Sequence, residues 1–403
     1  MLEHTHANDK INAVREQVLM AYAGVGFRCL RFPALLTFFS ALIGCAPPQL
    51  GDTDAALALA DIVAGPGHSR LKERTPLPSR RGIAYEIDGR HYTGDVYLSP
   101  EGVRAGIVLV PGVVPAGKDD RRLVALAYTL ARLQFAVLTP DLAGLRDYKV
   151  RKSNVREVAD AFRYLVSRPD WAPQGHAGVA GFSYGAGPVL LATLQPGVRE
   201  QVQFVVTLGG YYDLQSIVTY FTTGYYQGES GNQWIYQRPN PYIKWVFTLS
   251  NADLLEDAED RAALGELARR MMNEAGDDPE PHLQQLRPDA QSLVALLANE
   301  DPARVPALIA QLPPGIRDEL DGLNPAVQDL SRFRAQAILV HGRSDTMIPY
   351  TESVALARAL PPGRVQLFLT GGFAHVDIKP DKQDIPQLLA AMQALLAQRA
   401  VEP

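Results

Sequence analysis

The chain has 403 residues and a mass of 44.0 kDa; 47% of its residues are hydrophobic, 8% aromatic and 21% charged, with 33 Gly and 30 Pro. That apolar fraction excludes a disordered chain. Thirty-nine basic against 44 acidic side chains give a net charge of −5 with no basic stripe, which excludes binding driven by nucleic-acid phosphates. Two cysteines, Cys29 and Cys45, exclude a disulfide scaffold and a cysteine-rich zinc site.

The first element in chain order is an apolar run, 32–43, preceded by Arg28 and Arg31 and closed by Gly44-Cys45-Ala46. A membrane-spanning helix needs about 20 apolar residues, so this run is too short to cross; it has the proportions of a signal-peptide core behind a positive segment. Leu42-Ile43-Gly44-Cys45 resembles the bacterial lipobox, which implies lipidation of Cys45 and an enzyme anchored to a bacterial membrane in the cell envelope. Residues 1–19 are polar and carry Glu3, Asp9 and Glu16, so Met20 is the start that such a signal requires. The other reading is a hydrophobic N-terminal helix packed on a cytoplasmic domain. On the first reading 1–45 form the signal and lipobox region. Residues 46–81, rich in Pro, Gly and Ala, form a tether with one short helix near 55–63.

From Gly82 onward strand and helix patterns alternate. Segments 83–87 and 92–98 read as a hairpin joined at Asp88-Gly89. The continuous apolar runs 106–110, 136–139, 177–182, 203–208 and 337–340 have the profile of strands buried on both faces. Helical spacing occupies 121–133, 154–167, 351–360 and 385–399, and a last strand spans 364–369. This alternation predicts an α/β fold, a doubly wound, mostly parallel sheet, with functional residues beyond the carboxyl ends of its strands. One connection, from about 208 to 337, is about 125 residues long where 2–6 is usual, so an inserted domain is expected there. The inserted part begins with aromatics, including Tyr211, Tyr212, Tyr225 and Trp234, and continues as a helical, Ala- and Leu-rich stretch. The expected organisation is 82–212 as the first part of the core, 213–330 as a helical cap, and 331–403 as the second part.

Chemistry gathers at three strand ends. Gly181-Phe182-Ser183-Tyr184-Gly185 is a G-x-S-x-G sequence between a strand and a helix, the context of a nucleophile elbow. A serine hydroxyl needs a base. Of eight histidines, His4 and His6 precede the apolar run, His68 lies in the tether, His91 by the hairpin, His176 before the nucleophile strand and His282 in the cap. His341 reads as a packing residue beneath the loop that it starts. His375 follows the last strand and is the candidate base; Asp345, after the strand ending at Val340, is the candidate orienting acid. The order Ser183, Asp345, His375 is that of α/β-hydrolases.

From about Gly82 to the C-terminus the chain resembles the α/β-hydrolase superfamily, with the insertion where capped members carry a lid. Ala180-Gly181-Phe182-Ser183-Tyr184-Gly185 is similar to the elbow of the dienelactone-hydrolase-like and prolyl-oligopeptidase-like branches. The former use cysteine, so the lactonase activity does not transfer to Ser183. In place of the usual His-Gly after the third strand stands Pro111-Gly112-Val113. The resemblance implies an oxyanion hole from the backbone amides of Tyr184 and Val113, two-step acyl transfer through an acyl-enzyme, and neither metal nor organic cofactor. A histidine base must be neutral to act, so activity is expected to fall at low pH; imidazole side chains titrate near ~6.5.

The expected partner is a small-molecule acyl substrate, with no nucleic acid. Ester, thioester, lactone and peptide bonds remain open. Tyr211, Tyr212, Tyr225 and Trp234 are candidate pocket residues, or simply pack the cap. A carboxylic ester hydrolase is favoured over a prolyl-oligopeptidase-type peptidase, whose N-terminal propeller has no room here, and over a non-catalytic lipoprotein binding module.

Overall fold

In the computed structural model, residues 53–273, 286–371, 373–375, 377–378 and 382–399 are described. The chain builds an eight-stranded sheet in the order β1-β2-β4-β3-β5-β6-β9-β10. Strands β1 (Ser79–Ile87) and β2 (Arg90–Leu98) pair antiparallel with Ile87 opposite Arg90, which leaves Asp88 and Gly89 as a two-residue turn. Both turn residues have positive φ, 49° and 76°, matching the twist of the strands they join. β2 is also antiparallel to β4 (Phe135–Pro140). The remaining neighbours, β3 (Ala105–Val110), β5 (Ala177–Phe182), β6 (Phe204–Leu208), β9 (Gln336–Gly342) and β10 (Val365–Thr370), are parallel to β4 and to each other. This is the doubly wound, mostly parallel sheet expected from the apolar runs.

Helices cover both faces because the central strands bury both. In β3, Val108 and Val110 point into one apolar cluster and Ile107 and Leu109 into the other, with none of the four exposed. On the first side lie α5 (Ser153–Val166), α6 (Ala186–Ala192) and α13 (Thr351–Ala359). On the second lie α1 (Asp54–Ala64), α2 (Arg70–Arg74), α3 (Arg121–Arg132) and the C-terminal α14 (Ile385–Leu396). Helix α3 starts where it does because the Asp120 carboxylate accepts from the N–H groups of Arg122 and Leu123. The short α4 (Ala143–Arg146) follows β4.

Two expectations need correction. Residues 46–52 lie outside the described residues, but from Thr53 on the stretch read as a tether is packed structure. Ala55, Leu57, Ala58, Leu59 and Leu71 are buried beneath the sheet, and Asp61 is buried with Thr129, Ser69 and Lys72 around its carboxylate. The Pro and Gly residues that read as a linker only punctuate helices: Thr53 caps α1 at its start and Gly65 ends it.

The insertion is also not wholly helical. Helices α7 (Leu214–Thr223), α8 (Pro241–Ala252), α9 (Ala258–Asn273), α10 (Pro288–Leu297), α11 (Val305–Ala310) and α12 (Pro314–Leu323) are joined by a hairpin of β7 (Tyr225–Gln227) and β8 (Trp234–Tyr236). They share a core of their own, centred on Leu264, Leu293, Leu296, Val305 and Ile316. Ile348, from the loop after β9, inserts into it.

Candidate active site

Strand β5 delivers Ser183 at a sharp turn. Its backbone is held at φ 52°, in the left-handed region that non-glycine residues seldom occupy. The flanking glycines are a steric requirement. A Cβ on Gly181 would lie 2.4 Å from the Gly185 carbonyl oxygen, and one on Gly185 would lie 2.5 Å from that of Pro111. The β3–α3 loop runs beside the serine: a Cβ on Gly112 would sit 3.2 Å from Ser183 Cβ and 3.7 Å from its Oγ.

His375 and Asp345 arrive from two further strand ends. His375 Nε2 is 2.8 Å from Ser183 Oγ, and His375 Nδ1 is 2.9 Å from Asp345 Oδ2. Asp345 is buried, and its Oδ1 accepts from the N–H groups of Met347 and Ile348 at 2.7 and 3.0 Å. Burial alone would push this carboxyl up. Hydrogen bonding and charge from His341 and His375 outweigh it and hold the carboxyl well below the usual carboxylate range. Gly209, at φ 60°, passes beneath the pair, where a Cβ would stand 3.4 Å from both Asp345 Oδ2 and His375 Nδ1. The three side chains named from the sequence therefore form one hydrogen-bonded line.

The two candidate oxyanion amides belong to Tyr184 and Val113. Tyr184 follows Ser183 in the first turn of a helix, where N–H groups lack intrahelical acceptors. The Tyr184 side chain turns away, its hydroxyl donating to Asn154 Oδ1 at 3.0 Å. The Val113 N–H has no protein acceptor among the described residues, while its carbonyl accepts from the Tyr242 hydroxyl at 3.3 Å.

The four aromatic candidates are a correction. Tyr211 is only 3% exposed and donates its hydroxyl to the Leu323 carbonyl at 3.0 Å, so it is a packing residue. The Tyr212 ring packs against the main core, and its N–H donates to buried Glu352. Tyr225 packs edge-on against Tyr236, and Trp234 is an exposed residue of the hairpin. A sequence rich in aromatics signals packing without saying which way a ring faces. Tyr211 itself stacks on Tyr184 (6.5 Å between rings), while Tyr242 on Val113 and Tyr220 on the Thr346 carbonyl (3.1 Å), which also touch the site loops, carry no distinguishing motif. Cys45 lies outside the described residues. Among the described residues no group of three or more His, Cys, Asp or Glu could hold a metal, and no helix is long and apolar enough to cross a membrane.

The strand order, the antiparallel second strand and the serine elbow after the fifth strand define an α/β-hydrolase fold. Solved structures similar to this chain include 2,6-dihydroxy-pseudo-oxynicotine hydrolase (12% identity, TM-score 0.44, 81% of this chain and 71% of that one). Another is an esterase from the archaeon Pyrobaculum calidifontis (14%, TM-score 0.44, 85% and 91%). A third is an acylaminoacyl peptidase (12%, TM-score 0.46), of which the alignment covers only 43% against 81% of this chain. No family model and no curated protein matches the sequence.

Proposed function

We propose that the protein is a serine hydrolase that cleaves carboxylic esters or related acyl bonds. The observation that carries this reading is the unbroken line from Ser183 Oγ through His375 to buried Asp345, at 2.8 and 2.9 Å. His375 accepts the Ser183 proton as Oγ attacks the acyl carbonyl, and Asp345 stabilises the resulting imidazolium. The oxyanion that forms is held by the N–H groups of Tyr184 and Val113; a helix start and an uncommitted amide are what such a site needs. His375 then returns the proton to the leaving group, and water, activated by the same histidine, releases the acyl group from Ser183.

Leu42-Ile43-Gly44-Cys45 supports a companion proposal, that Cys45 is lipidated and the enzyme is held in the cell envelope. Intact mass of membrane-extracted protein tests it: a diacylated chain starting at Cys45 is expected, and an unmodified chain starting at Met1 overturns it.

For the hydrolase, the test is labelling by a fluorophosphonate, wild type beside Ser183→Ala. Labelling of the wild type alone is expected. Labelling of neither, in protein shown to be folded, overturns the proposal.

A further inference from the structure

Besides His375, a second histidine reaches the acid of this line. His341 lies near the end of β9 and is wholly buried. Its Nδ1 is 2.7 Å from the hydroxyl of Ser353 on α13. Its Nε2 is 3.0 Å from the Ile348 carbonyl oxygen and 3.4 Å from Asp345 Oδ2. A carbonyl and a carboxylate only accept, so Nε2 carries a proton, and a neutral ring then accepts the Ser353 hydroxyl proton at Nδ1.

That one N–H faces both ends of a short loop. Asp345 and Ile348 are also joined directly, through the Ile348 N–H on Oδ1. Oδ2, which His375 Nδ1 approaches at 2.9 Å, also stands 3.4 Å from His341 Nε2. The titratable groups facing this carboxyl among the described residues are His341, His375 and, from α7, Tyr220. The Nε2–H is bonded to the Ile348 carbonyl, and at 3.4 Å from Oδ2 it stands within electrostatic reach of the carboxyl that His375 uses.

Building on the serine-hydrolase reading above, we propose that His341 is a positioning residue for the reaction. Its Nε2–H, bonded to the Ile348 carbonyl and 3.4 Å from Asp345 Oδ2, fixes the loop that holds the carboxyl toward His375 and moderates the pull of its charge on that base. Removing the donor concentrates the carboxylate's charge on His375 and stabilises the imidazolium. The base then stays protonated to a higher pH.

The experiment is a pH profile of kcat/KM on a p-nitrophenyl ester for wild type, His341→Leu and His341→Gln, after fluorophosphonate labelling of the wild type. Absence of labelling in the wild type overturns the serine-hydrolase reading itself. With labelling present, the acid limb of His341→Leu is expected to move up by about 0.5–1 pH unit. His341→Gln, whose amide restores an N–H at the Nε2 position, should keep the wild-type limb. A His341→Leu limb that stays or moves down, or a His341→Gln limb that shifts as far, overturns the proposal. If His341→Leu does not fold, 15N-histidine NMR of the wild type decides, with His341 assigned by its loss in His341→Gln. A proton on Nε2 is expected, and an unprotonated Nε2 overturns it.

Discussion

The sheet and the insertion place residues at the site by different means. Ser183, Asp345 and His375 come from strand ends whose register is set by the ladders β3–β5, β6–β9 and β9–β10. The insertion reaches the same loops through separate contacts: hydrogen bonds from Tyr242 to the Val113 carbonyl and from Tyr220 and the Asn240 N–H to the Thr346 carbonyl, and the packing of Ile348 into its core. A ladder fixes position through many hydrogen bonds at once, whereas one contact can be lost without moving its neighbours. The sheet therefore should carry the chemistry and the insertion should adjust it.

The harshest test of that division is Ser183→Ala. It should lower kcat/KM by about 10³-fold or more, with unfolding unchanged. A variant that kept most of its activity would move the chemistry off the sheet. Next in size are paired cavities. Phe162→Ala, in the core between the sheet and α5, should cost about 3–5 kcal/mol in urea unfolding. Leu293→Ala, in the insertion core, should cost about 2–5 kcal/mol. Amide exchange separates the two: the second should speed exchange in α10 and α11 while β3 and β5 keep their protection. Equal loss in both regions would make insertion and sheet one cooperative unit.

A smaller effect concerns acid. The Asp345 carboxyl is held low by its histidine partners, so its folded value lies below its unfolded one. Its contribution is then complete above the ordinary carboxyl range, about 4, and is lost as pH falls through the depressed folded value. The stability gap between wild type and Asp345→Asn should close as pH falls below about 4. A gap independent of pH would remove the charge from the argument. The smallest expected effect is Tyr242→Phe, which deletes one contact from the insertion to Val113. Loss of a single hydrogen bond is worth about 0.5–1.5 kcal/mol, so kcat should fall roughly 2- to 10-fold with KM nearly unchanged.

The sheet was legible because its physics is written locally. Val108 and Val110 alternate with Ile107 and Leu109, both faces are buried, and the run ends at a Pro-Gly turn. Ser183, Asp345 and His375 could then be placed because a parallel sheet presents its strand ends at one edge. The insertion resisted such reading. Strands β7 and β8 have three residues each, too short for a period to show. Tyr211 and Tyr242 are chemically identical in sequence, yet one is sealed on Leu323 and the other rests on Val113. The helix expected near 55–63 is there as α1, but its packing beneath the sheet was not legible, because alanines between Pro and Gly do not show which surface buries them. His341 was legible as buried, but its approach to Asp345 depends on a loop that folds back four residues later.

Helix α1 also decides how the molecule can be held. Asp54, at its start, pairs with Arg399 beyond α14 at 2.9 Å, and Arg399 reaches the Leu133 carbonyl just ahead of β4. The Gln398 carbonyl likewise meets His176, just ahead of β5. The first and last described residues thus lie side by side at the pole where the central strands begin, about 20 Å from Ser183 by the rise of a six-residue strand. A bead, a sensor surface or a fusion partner joined at Thr53 takes hold at that pole, away from Ser183. The closeness of Asp54 and Arg399 also lets a short loop join them, so that the chain could be opened afresh elsewhere on its surface.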